Sequence, residues 1–160
     1  MSAKLKNKSE EVFNMTRGNY MIYKMYRKNP EDKVTLFFLP DDSLTRFLER
    51  RLELASMKDR GYLVMGIAYV DKETYLNQRL NETVEEYCYM DKQEQETKRD
   101  YKAGRISREV AITTLEMIQD HKWTVLKRLS QQIRRMIRED FDVENEIAIQ
   151  LYDQYVKAIL

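Results

Sequence analysis

DYKAGRISRE, residues 100–109, is the stretch whose reading decides the fold. Gly104 within it is the single glycine between residues 71 and 160, and no proline occurs in those ninety residues. Proline costs about 3 kcal/mol and glycine about 1 kcal/mol in a helix interior. A stretch almost free of both can carry very long helices. Gly104 reads as a helix C′ residue, and Ser107 reads as the N-cap of the next helix. The expectation is a long antiparallel helical hairpin bent at 104–106, with arms at about 72–103 and 108–140. A third helix from 143 to 159, capped by Asp142, would follow, presenting Ile147, Leu151, Tyr155 and Ile159 at i+4 spacing.

The two arms can be tested against each other. With the bend at Gly104–Arg105, residue i faces roughly residue 209 − i in an antiparallel, coiled-coil-like seam. Leu76 then meets Ile133, Leu80 meets Leu129, Val84 meets Val125 and Leu126, and Tyr87 meets Lys122. The half nearer the base is apolar on both sides. The half nearer the bend is one-sided, because DKQEQETKRD (91–100) has no large apolar side chain. At about 1.5 Å per residue the 108–140 helix is about 50 Å long and the 143–159 helix about 25 Å, so the third helix covers only the lower half. An apolar stripe of Ile106, Val110, Ile112, Leu115, Met117 and Ile118 is left without a large apolar partner. Uncovered stripes of this kind mark partner or self-association surfaces.

Upstream, residues 1–70 read as a small α+β module of ββαβ order. Residues 1–8 form a lysine-bearing tail expected to be mobile, and Ser9-Glu10-Glu11 opens a short helix ended by Gly18. YMIYKMY (20–26) fits strand or helix, whereas VTLFFL (34–39) reads as a buried strand. The turn Asn29-Pro30-Glu31-Asp32 between them implies a β-hairpin. Pro40-Asp41-Asp42-Ser43 opens a helix over about 44–60 with Gly61 at C′, and YLVMGIAYV (62–70) follows as a third strand. Strand, helix, strand favours a crossover with strands two and three paired in parallel. The fold class is therefore α+β and predominantly helical: the ββαβ module, the long hairpin and a C-terminal helix.

Composition narrows the function. Apolar residues make up 42% of the 160, enough for a core, and net charge is only +1. Charge alternates along the chain, positive over 1–60 and 105–141 and negative over 61–104 and 142–160, unlike a globally basic nucleic-acid binder. The longest apolar run, Tyr62 to Val70, is far short of the roughly 20 residues that span a bilayer, and the N-terminus lacks an export-type apolar segment. With Cys88 as the lone cysteine, a reducing, cytoplasmic setting is expected.

Catalytic signatures are sparse. His121 is the single histidine and sits mid-helix beside Trp123, so it reads as a packing or surface residue. Cys88 reads as a buried thiol. Asp41-Asp42 reads as a helix cap rather than a metal site, and no phosphate- or dinucleotide-binding glycine pattern occurs. No catalytic residue, metal or cofactor is expected. The leading reading is a non-enzymatic interaction protein, an adaptor, inhibitor or assembly subunit. It would dock the apolar face of the hairpin tip on another protein or on its own copy. The alternative is a nucleic-acid-associated accessory protein using Lys127, Arg128, Arg134, Arg135 and Arg138, with Lys4, Lys6 and Lys8 of the tail. Pairing of the helical basic residues with Glu82, Glu85 and Glu86 across the hairpin competes with that use.

Overall fold

The structure is a computed structural model that describes residues 3–29 and 32–160, with side chains from Lys8 onward. Pro30 and Glu31 of the expected turn, Met1 and Ser2 of the tail, and the side chains of Lys4 and Lys6 lie outside the described residues. The order is α1 (Ala3–Thr16), β1 (Tyr20–Tyr26), β2 (Val34–Phe38), α2 (Leu44–Asp59), β3 (Leu63–Val70), α3 (Lys72–Lys102), α4 (Arg108–Arg138) and α5 (Glu146–Ile159). The chain divides into two compact units, 1–75 and 76–160.

In the first unit β1 is the centre of an antiparallel sheet ordered β2-β1-β3. Met21 pairs with both Phe38 and Tyr69, and Tyr23 with both Leu36 and Ile67. YMIYKMY is thus strand, since Met21, Ile22, Tyr23 and Met25 are all buried and only a central strand hides both faces. The expected parallel pairing of β2 with β3 is corrected. Both run the same way, but β1 lies between them and the α2 crossover spans it. One edge of this most buried strand is filled by each neighbour. On one face Met21, Tyr23 and Met25 pack with Leu54, Met57 and Val64. On the other, Tyr75 at the start of α3 stacks against Tyr20 with ring centroids 4.6 Å apart and meets Phe37 edge-on at 5.8 Å. Helix α1 begins at Ala3, well ahead of Ser9, so the described part of the lysine-bearing tail is helical. Its Phe13 meets Phe47 of α2 at 5.5 Å.

Ends are set as the sequence implies at most places. Ser43 Oγ accepts from Arg46 N–H at the start of α2, and Gly61 beyond its end has φ +93°. At the hairpin bend Gly104 has φ +75°. Arg105 N–H donates to Asp100 O at 2.9 Å and Gly104 N–H to Tyr101 O at 3.1 Å, the paired 6→1 and 5→2 bonds of a Schellman motif. Ser107 Oγ then accepts from Val110 N–H to open α4. The end of α4 repeats the motif without a glycine. Phe141 N–H donates to Met136 O at 2.8 Å and Asp140 takes φ +60°. That turn carries the chain through residues 139–145, so α5 starts later than expected, with Asn145 rather than Asp142 as its cap.

In the second unit α3 and α4 pack as an antiparallel hairpin, and α5 closes the lower half. Leu80, Val84, Leu129, Ile133, Met136, Ala148 and Leu151 form its core, with Leu76, Tyr87 and Leu126 packed around it. Each fully buried leucine contributes roughly 1.5–3 kcal/mol. The α5 face turned inward is Ala148, Leu151 and Tyr155. Leu151 and Tyr155 are thus where the spacing put them, whereas Ile147 and Ile159, expected on that face, are exposed and Ala148 takes the inward place beside Ile147.

Candidate functional site

The upper half of the hairpin is held together differently from the lower. Above Val125 the seam runs through Lys122, which is only 8% exposed. Its Nζ donates to Asp91 Oδ1 at 2.9 Å and Glu94 Oε2 at 2.8 Å and stands 5.0 Å from the centre of the Tyr87 ring. Burial alone would push this ammonium down. The hydrogen bonds it donates to Glu94 and Asp91 outweigh it and hold Lys122 well above the usual lysine range. Glu94 is held below the usual carboxylate range by its bonds from Lys122 and Lys98. Beside this, Glu86 accepts from Arg128 at 2.7 Å and lies 2.9 Å from His121 Nε2. Burial would raise Glu86, but His121 and Arg128 together lower it.

Closer to the bend the helices meet through small residues. Thr97 and Ala111 are buried, Thr97 Oγ1 donating to Gln93 O at 2.8 Å, and Ile118 is buried as well. The expected tip stripe therefore does not stay in one piece. Ile118 belongs to the seam, and Leu115 and Ile106 are half-buried. Val110, Ile112 and Met117 are 51%, 45% and 68% exposed. At 3.6 residues per turn, Val110 and Met117 fall on one flank of α4 and Ile112 on the other.

The five basic candidates also separate. Arg128 is engaged by Glu86, and Arg135 Nε lies 3.7 Å from Glu139. Lys127, Arg134 and Arg138 share the outward face of α4, exposed, and form no ion pair among the described residues. His121 stands on the surface paired to Glu86. Cys88, expected to be buried, is exposed, because it lies on the side of α3 turned away from α4. In the first unit Asp41 Oδ1 forms an ion pair with Arg50 at 2.9 Å, so the Asp41-Asp42 doublet anchors α2 locally. Burial raises Asp41, with Arg50 opposing.

Three features escape a sequence reading. The first is β3, whose Leu63, Met65 and Ile67 are exposed along a sheet edge that has no charged residue. A uniformly apolar strand reads as buried, and nothing local marks it as an edge. The second is a groove of about 500 Å³ between the end of α4 and α5, with apolar walls of Ile133, Ile137, Phe141, Val143, Ile149 and Tyr152 and the carboxylates of Asp140, Asp142 and Asp153 also on its lining. The third is a smaller groove of about 220 Å³ where Arg79, Arg128 and Arg135 surround Gln132, whose Oε1 is buried without a partner. The larger groove depends on the loop after Asp140 and on how α5 settles, whereas the smaller one is formed by α3 and α4 alone.

Compared with protein-family models, with curated proteins and with solved structures, the chain finds no match in any of the three. Among the described residues no helix is long and apolar enough to cross a membrane.

Proposed function

We propose that this is a protein–protein interaction protein, an adaptor, inhibitor or assembly subunit without catalytic activity, and that the α3–α4 hairpin is its docking element. One observation supports the reading above the rest. The tip half of α4 presents Val110, Ile112 and Met117 to solvent while the seam beneath them is already closed by Thr97, Ala111, Ile118 and Lys122. These side chains are therefore not needed to hold the hairpin together, and water is what they now face. Burying the part of each that is still exposed would contribute roughly 1–2 kcal/mol before the cost of association. The polar stretch 91–100 keeps the free tip soluble.

The test is a photo-crosslinking amino acid placed at position 117 and, as a control, at position 92 on the polar arm. A discrete adduct from 117 and not from 92 is the expected result. Equal labelling from both positions, or none from either, refutes the reading. A second reading, nucleic-acid association, is favoured by the exposed, unpaired row of Lys127, Arg134 and Arg138. It requires salt-dependent binding that Arg134→Ala with Arg138→Ala removes.

A further inference from the structure

The outward face of α4 carries more than those three cations. Glu109, Glu116, Asp120, Lys127, Arg134 and Arg138 succeed one another at spacings of seven and four, which places all six on one stripe of the helix. The first three are acids and the last three bases. All six are exposed, and none forms an ion pair within the chain among the described residues. A stripe that changes sign at its middle is complementary to itself when one copy is reversed. Laid parallel, it would set Glu116 against Glu116 and Arg134 against Arg134.

We infer that the partner on this face is a second copy of the chain, paired α4 to α4 in antiparallel about a two-fold axis near Thr124. This rests on the reading of the hairpin as the docking element and names its occupant on one flank. About such an axis residue i faces roughly residue 248 − i, as in any isologous antiparallel pair. Glu109 then meets Arg138, Glu116 meets Arg134 and Asp120 meets Lys127, each within two residues of that register. The apolar side chains obey the same rule. Ile112, exposed on the tip half, arrives at Ile137, which is 59% exposed at the rim of the α4–α5 groove. The two Trp123 side chains flank the axis.

The arrangement also accounts for the uneven cover on α4. Helix α5 lies along the lower part of α4, and the Tyr155 ring near its end meets Trp123 at 5.6 Å. The axis stands perpendicular to the plane of the paired helices, so both α5 helices lie on the same side of that plane, one over each half. The second copy's α5 comes on the side of the pair that carries Ile112, beyond the Trp123 contact made by the first copy's own α5. Each half of the face is completed by the other chain.

The test uses the full chain and two single charge reversals, Glu116→Arg and Arg134→Glu, followed by sedimentation equilibrium. Each reversal alone places like charges in both symmetric contacts, and dimerisation should weaken about tenfold or more. Mixed in equal amounts, the two variants restore opposite charges in both contacts of the mixed pair, and dimer should return. Ile112→Asp should abolish dimer with the far-ultraviolet circular dichroism unchanged, since Ile112 is outside the seam. A wild-type chain that stays monomeric overturns the inference, as does a dimer indifferent to both reversals or a mixture that does not recover. The crosslink from position 117 lies on the opposite flank, so it reports on the general reading separately. An adduct there from a monomeric chain would sink the self-pairing and leave the docking role standing.

Discussion

Replacing Lys122 with methionine tests how the hairpin holds where its apolar layers end. Methionine keeps an unbranched stem against Tyr87 but removes the ammonium, leaving Asp91 and Glu94 facing each other at the seam. The two bonds lost are charge-assisted, about 1.5–3 kcal/mol each for well-buried groups. Asp91 is half exposed and water replaces most of its bond, whereas the Glu94 side chain is only 18% exposed and is left poorly compensated. Burial of the methionine tip offsets part of the loss. The net expectation is a destabilisation of about 1–2 kcal/mol. Trp123 is the chain's only tryptophan and lies one residue away, so urea unfolding followed by its fluorescence reads this unit directly. The pH dependence adds a sign. Glu94 and Glu86 are both lowered on folding, so their contribution is present above the ordinary carboxylate pKa and is lost as pH falls through their folded values. Wild type should lose stability on acidification below about pH 4.5, and Lys122→Met should lose less over the same interval. A variant as stable as wild type at neutral pH, or one with an undiminished acid slope, would refute the account of Lys122 as the closing residue.

Other expectations follow from single positions. Asp140 occupies the left-handed region at φ +60°, so Asp140→Gly should raise stability by about 0.5 kcal/mol in the same titration; a loss would show that the aspartate is preferred there. Gly104→Ala should cost about 1 kcal/mol through its φ of +75° alone, since a Cβ there meets nothing within 4 Å. Leu129→Ala, in the fully buried layer, should cost about 2–5 kcal/mol, and a smaller loss would mean the core collapses around the gap. Cys88 should react with a maleimide in the native protein at close to the rate of the urea-unfolded chain, and protection would contradict its exposed position.

The hairpin was legible because its determinants are local. A glycine and a serine three residues apart fix where one helix stops and the next begins, and apolar residues spaced by three and four, Leu76, Leu80 and Val84 against Val125, Leu129 and Ile133, fix which sides meet. The 209 − i register even placed Lys122 beside Tyr87, where the structure has it. The tip half was less legible because it has no large apolar side chains facing each other across the seam. Thr97 and Ala111 close the helices by being small, and Lys122 closes them through its stem and its two carboxylates. The sheet order was not legible at all. Whether β1 is flanked or β2 and β3 adjoin depends on which edge is filled last, and nothing in a strand's own sequence records that. The late start of α5 has a similar origin, since Asp140 adopts a conformation usually left to glycine. Of the site residues, the split of the tip stripe between two flanks follows from helical geometry and could have been drawn from the sequence. The exposure of Ile137 could not, because it needs the position of α5.

The central place of β1 has a consequence for how the chain comes together. As the polypeptide is made, β1 and β2 can pair as soon as both have emerged, but the other edge of β1 must wait for Leu63–Val70 at the far end of the α2 crossover. During that interval the strand destined for the centre of the sheet offers one open ladder of backbone donors and acceptors. Once β3 arrives the opening does not vanish but moves outward, to a strand with no lysine or proline to discourage a newcomer. The first unit, whose sheet forms only through strand pairing, is thus the more prone to stray pairing, while each helix of the second unit closes its own backbone bonds locally before the helices dock.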